Sequence, residues 1–115
     1  MKPTALVVED DALQRDYIVT LLEESDMDVI GCESAEAACA CIDMCGTKLK
    51  FLVTDNRLAG RMTGCELAQH AKQMLPHLKV VVVSGTAIDD LPSHAAFLHK
   101  PLIPLDVLRC AELAR

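Results

Sequence analysis

The stretch Val80-Val81-Val82-Val83-Ser84 sets four consecutive β-branched residues side by side with no apolar–polar alternation. A strand that is apolar on both faces must be covered on both, which is the pattern of a central strand in a parallel sheet sandwiched by helices. Three other short apolar runs, residues 5–8, 51–53 and 95–98, fit the same sheet. All four runs deliver polar or charged residues at their carboxyl ends: Glu9 with Asp10, then Asp55, Ser84 and Lys100. In an open parallel sheet the ligand crevice lies outside the carboxyl ends of the strands, so the reading gathers these five residues around one pocket.

Between the runs the apolar period changes from strand to helix. Leu13, Tyr17, Ile18, Leu21 and Leu22 recur at helical spacing, and residues 28–32 then read as a short second strand. Ser34 caps a second helix that Gly46 ends, and residues 51–54 follow as the third strand. A third helix carries Leu67, Ala68, Ala71, Met74 and Leu75 on one face until Pro76 stops it. Residues 95–99 form the last strand, and a closing helix runs over 104–114. Strict alternation of this kind predicts a doubly wound, five-stranded parallel α/β sheet with right-handed crossovers. Its length of 115 residues suits one domain with one core, spanning 1–115.

Composition narrows the function. With 51% hydrophobic and 24% charged residues the chain is that of an ordinary globular protein, without a signal peptide or spanning segment, and a cytoplasmic location is expected. Seventeen acids and a net charge of −6 leave no basic stripe for nucleic acid and no basic amphipathic helix for a membrane surface. Six cysteines invite a zinc or disulfide reading. Cys39 and Cys41, however, lie about 200° apart on one helix and cannot share an ion. Cys41 and Cys45 instead join Ala37, Ala38 and Ile42 on a buried stripe, Cys32, Cys65 and Cys110 have no zinc-type spacing, and a reducing compartment keeps all six as thiols.

Two adjacent carboxylates, Glu9 and Asp10, meet a third, Asp55, in the doubly wound order. Like charges so close call for a compensating hard cation, and an all-oxygen donor set suits magnesium. The plainer reading is that strand-end acids cap the next helices, as Asp10 or Asp11 would for the first. Lys100 and Ser84 add a cation and a hydroxyl to the acids, which makes a phosphoryl site with Asp55 as the carboxylate available for a mixed anhydride.

These residues resemble the receiver domains of two-component response regulators. The motifs are Leu6-Val7-Val8-Glu9-Asp10-Asp11, Leu52-Val53-Thr54-Asp55, Gly64 closing the next loop, Val82-Val83-Ser84-Gly85 and Lys100-Pro101, and their order spans essentially the whole chain. The resemblance implies a flavodoxin-like sheet of receiver topology and a role for each position. Asp55 would accept a phosphoryl group from a phosphohistidine of a sensor histidine kinase or a histidine phosphotransfer protein. Asp10, Asp55 and the backbone carbonyl of Arg57 would bind Mg2+ directly, with Glu9 acting through a water. Ser84 and Lys100 would hold the phosphoryl oxygens, and backbone N–H groups near Arg57 and Gly85 would complete the cradle. Ser84 and Phe97 would be the switch pair, the latter by packing alone because it has no hydroxyl, and a cis bond is implied at Lys100-Pro101. Arg57 and Thr86 would flank the phosphate entrance, and output would pass to a protein effector.

The sequence departs from the family pattern at Ala59 and Leu102, where proline and an aromatic are common. More consequential is the crossover before the last strand. Only twelve residues separate Ser84 from Phe97, and Pro92 biases Leu91 away from helical geometry, so the fourth helix is expected to be shortened or absent. A haloacid dehalogenase-type phosphohydrolase needs a second carboxylate where Arg57 stands. A flavodoxin-type cofactor loop would be repelled by Glu9-Asp10-Asp11. The remaining alternative is a receiver-like scaffold that binds partners without being phosphorylated.

Overall fold

The computed structural model describes residues 2–114; Met1 and Arg115, the ends of the expected 1–115 domain, lie outside them. The chain runs β1 (Thr4–Val8), α1 (Ala12–Glu24), β2 (Asp28–Cys32), α2 (Ala35–Cys45), a 3₁₀ turn (Gly46–Lys48), β3 (Leu49–Asp55), α3 (Gly64–Met74), β4 (Lys79–Ser84), β5 (Ala95–His99) and α4 (Pro104–Leu113). All strands are parallel, in the order β2-β1-β3-β4-β5. Each strand turns alternate residues to opposite faces, so the valine run feeds two cores. Val80 and Val82 pack with Leu6, Leu52 and Ile42 under α2 and α3, while Val81 and Val83 pack with Val7, Phe51 and Leu22 under α1 and α4. Phe51 is the largest fully buried side chain, and removing a phenyl ring from such a site typically costs about 3–5 kcal/mol.

Local chemistry sets the helix ends. Asp11 accepts a hydrogen bond from the Gln14 N–H at 2.9 Å to start α1, and Ser34 accepts one from Ala37 N–H at 3.1 Å to start α2. These satisfy amides that the helix cannot pair internally. Thr63 and Glu66 form a reciprocal capping box on α3. Gly46 ends α2 at φ 57°, a conformation other residues adopt only with strain.

Periodicity located the helices but overstated three apolar faces. In α1 only Ile18 and Leu22 are buried, whereas Leu13 is 82% exposed and Tyr17 45%. Met74 of α3 is also exposed. In α2 the buried residues are Ala35, Ala38 and Ile42; Ala37 faces solvent, and Cys41 and Cys45 are half-buried at the rim of the core. The spacing argument about Cys39 holds, since its thiol points to Met62 Sδ at 3.9 Å while that of Cys41 points to Cys32 Sγ at 3.5 Å. That last contact joins two elements and has no signature in local spacing. Burial and then the hydrogen bond to Cys41 push the Cys32 thiol up to about 12.

Between β4 and β5, residues 85–94 form bends and turns with no helix. Ile88 and Leu91 pack against the α2–α3 core and Pro92 is buried, so the segment is pinned at three points while the remainder is open. No helix among the described residues is long and apolar enough to cross a membrane.

Candidate functional site

Register brings the strand ends to one level. Val8 lies opposite Thr54, Asp55 opposite Val83, and Ser84 opposite His99, so the residues that follow or close these strands meet at the β1–β3 switch point of the winding order. They line a cleft of about 370 Å³ formed by Glu9, Asp10, Asp11, Gln14, Asp55, Arg57, Ser84, Gly85, Thr86 and Lys100. Of the positions singled out in the sequence, only Phe97 stands apart. It sits half-buried on the edge strand β5, its ring edge-on to His99 at a centroid distance of 6.2 Å.

Carboxylate oxygens of Glu9, Asp10 and Asp55 all lie within 4.8 Å of one another. Lys100 answers part of this charge. Its Nζ is 3.1 Å from Asp55 Oδ2 and 3.4 Å from Glu9 Oε1, making one ammonium the bridge between two strand ends. Burial pulls the lysine down, but the hydrogen bond and charge of Asp55, with those of Glu9, outweigh it and hold Lys100 above its ordinary value. Glu9 is the strained member. Only 2% of it is exposed, and its Oε2 is buried with no hydrogen-bond partner. Burial first, then the hydrogen bond and charge of Asp55, push its carboxyl from 4.5 up to about 7, against the weaker pull of Lys100.

Such a donor set, three hard oxygen ligands with one buried lone oxygen unsatisfied, fits a divalent hard cation and not a soft one. Asp10, which is exposed, and Asp55, which is half-buried, both line the cleft.

On the far wall, Ser84 Oγ accepts from the Thr86 N–H at 3.1 Å and touches Thr86 Oγ1 at 3.4 Å. The Ser84 hydroxyl lines the same cleft as Asp55 and Lys100. The Lys100-Pro101 peptide is cis, as the resemblance implied.

Two supporting residues escaped the sequence reading. Arg15 donates from Nη1 to the Glu9 carbonyl at 2.8 Å, fixing the acidic turn from the first helix. Asn56 ties the loop after Asp55: its N–H donates to Val83 O, its carbonyl accepts from Gly64 N–H, and its Oδ1 accepts from Cys65 N–H at 3.1 Å. An asparagine immediately after a strand is a turn-forming signal that would have located the second of these. Arg15 offers no such signal, because its partner is a backbone atom six residues away. The loop closes against Gly64, where an added Cβ would stand 2.2 Å from the Asp55 carbonyl oxygen.

Residues 5–102 match the family model described as the response regulator receiver domain. The chain belongs to that family, the receiver domains of two-component response regulators. No curated protein sequence matches it significantly. Among solved structures it is similar to a response regulator receiver protein from Sinorhizobium medicae WSM419, with 20% identity, a TM-score of 0.90, and coverage of 98% of this chain and 94% of that one. It is also similar to a CheY-like receiver domain protein from Methanospirillum hungatei JF-1, with 26% identity, a TM-score of 0.86 and coverage of 98% and 93%. The receiver domain of the hybrid histidine kinase CckA aligns at 22% identity and a TM-score of 0.84, over 96% of this chain and 97% of that one.

Proposed function

We propose that Asp55 is a phosphoacceptor, taking a phosphoryl group from a phosphohistidine on a sensor histidine kinase or histidine phosphotransfer protein. The observation that carries this reading is the convergence of three carboxylates and the Lys100 ammonium in one cleft at the switch point. A carboxylate oxygen of Asp55 attacks phosphorus, the P–O bond forms, the P–N bond breaks, and the histidine leaves as imidazole. Lys100 already touches Asp55 and draws charge from the transferring oxygens, while Ser84 offers its hydroxyl to a second oxygen. Backbone N–H groups near Arg57 and Gly85 complete the cradle.

Mg2+ would fit the donor set, held by Asp10, Asp55 and the Arg57 carbonyl, with Glu9 acting through a water, and would supply neutralisation of charge on the phosphoryl oxygens. Arg15 holds the Glu9 backbone, and the Glu9 carboxylate is buried with one oxygen left without a hydrogen-bond partner, which a cation in the cleft would compensate. Phosphorylation then draws Ser84 toward the new oxygens, and Phe97 answers by repacking beside the open 85–94 segment, altering the surface offered to a protein effector.

The test is incubation with a small acyl phosphate in the presence and absence of Mg2+, read by intact mass. The wild type should gain one phosphoryl group only with the metal, and Asp55→Asn should gain none. An unmodified wild type under these conditions, or undiminished labelling of Asp55→Asn, would overturn the assignment and leave a scaffold that binds without phosphorylation.

A further inference from the structure

The geometry points to Cys32 and Cys41 as an oxidisable dithiol, a modification site at which a peroxide closes an intramolecular disulfide between the end of β2 and α2. The sulfurs stand 3.5 Å apart, on two different elements. A disulfide places them at about 2.05 Å, so closure requires an approach of about 1.5 Å, the scale of a side-chain adjustment at the rim of the core. The two thiols are unequal in access. Cys32 is 8% exposed, while Cys41 is half-exposed on the outer helix and is the one a small oxidant reaches.

The chemistry balances with hydrogen peroxide as the named oxidant. Cys41 Sγ attacks a peroxide oxygen, the S–O bond forms, the O–O bond breaks, and one water leaves, giving a sulfenic acid. Cys32 Sγ then attacks Cys41 Sγ, the S–S bond forms, the S–O bond breaks, and the departing hydroxide takes the Cys32 proton as a second water. Two thiols lose two electrons and the peroxide gains them. Cys39 is excluded as the partner by direction, since its thiol faces Met62 on the other side of α2.

The location joins the dithiol to the acidic cleft. The Cys32 carbonyl accepts the Glu9 N–H at 3.0 Å, and Glu36, earlier on α2, accepts the Arg61 N–H at 3.2 Å in the loop that follows Asp55. A disulfide would brace β2 and α2 between these two anchors. The modification itself does not depend on Asp55 being a phosphoacceptor.

The experiment treats the reduced 115-residue chain with graded hydrogen peroxide, alkylates the remaining thiols, and maps peptides without reductant. The expected first product is a Cys32–Cys41 crosslinked peptide, lighter by two hydrogens than the sum of its parts and returned to thiols by a dithiol reductant. Cys41→Ser should abolish it and Cys39→Ser should leave it unchanged. Oxidation falling first on Cys39, Cys45, Cys65 or Cys110 while Cys32 stays alkylatable would overturn the proposal, as would a Cys41 sulfinic acid formed without crosslinking. The wild-type map decides the matter even where a variant fails to fold.

Discussion

Replacing Asp55 by asparagine should stabilise the metal-free protein at alkaline pH and lose that advantage in acid. Glu9 titrates near 7 in the fold against an ordinary value of 4.5. Its folded value is raised, so the stability it contributes is fully present below 4.5 and is lost as pH rises through about 7. Between those values the folded state binds more protons than the unfolded chain. The shift corresponds to about 3 kcal/mol at pH 8. Burial is its first cause and Asp55 its second, so removing Asp55 returns a part of this, on the order of half. Against this, the variant loses the Lys100–Asp55 ion pair, worth about 0.5–1 kcal/mol for a partly exposed lysine. The net gain is on the order of 0.5–1 kcal/mol, or about 2–4 °C in melting temperature for a domain of this size. At pH 5 the folded Glu9 keeps its proton in both proteins and the gain vanishes. Thermal melts in chelator at pH 5 and pH 8 measure both arms. An Asp55→Asn protein that melts at or below the wild type at pH 8, or that gains equally at pH 5, would refute the reasoning.

Lys100→Ala should retain a magnesium-induced rise in melting temperature, because the ammonium pairs with the Asp55 and Glu9 carboxylates but cannot itself ligate a cation, yet its amide spectrum should no longer respond to a beryllofluoride phosphoryl mimic; wild-type-like shifts would count against the assigned role. Gly64→Ala should cost about 2–4 kcal/mol and slow phosphorylation, since its methyl meets the Asp55 carbonyl backbone, and a denaturant melt indistinguishable from wild type would refute it. Amides of residues 85–94 should exchange with solvent fast in the unmodified protein and gain protection with the mimic; strong initial protection would show a regular helix in place of the bends and turns of this segment.

The fold was legible because its evidence is local. Four adjacent valines cannot alternate, and Ser34, Gly46 and Pro76 punctuate the helices at positions the backbone obeys. The strand ends were legible for the same reason, since each apolar run stops within two residues of one that lines the cleft. What the sequence hid is relational. That Lys100 bridges Glu9 to Asp55, and so softens the carboxylate repulsion expected from the acids alone, depends on register across three strands. The Cys32–Cys41 contact depends on how α2 settles over β2, and the exposure of Leu13 and Tyr17 on how α1 settles over the sheet. Periodicity reports which residues share a side of a helix and not how wide the surface under it is.

The crossover from β4 to β5 works as a tether of nearly fixed length. Val80 lies opposite Ala95 and Ser84 opposite His99, so residues 85–94 must carry the chain back four residue steps, about 13 Å, and sideways by one strand spacing, about 4.8 Å. A helix advances 1.5 Å per residue and would use about nine of the ten residues on the return alone, leaving too few for its two turns. An extended path reaches about 33 Å and has room to rise over Val80 and Val82 before descending. Added residues would merely slacken this leash, at about 0.6 kcal/mol for each doubling of its length. Removing three would draw it tight, lifting Ile88 and Leu91 from the core before β4 itself gave way and stripping β5 from the edge of the sheet.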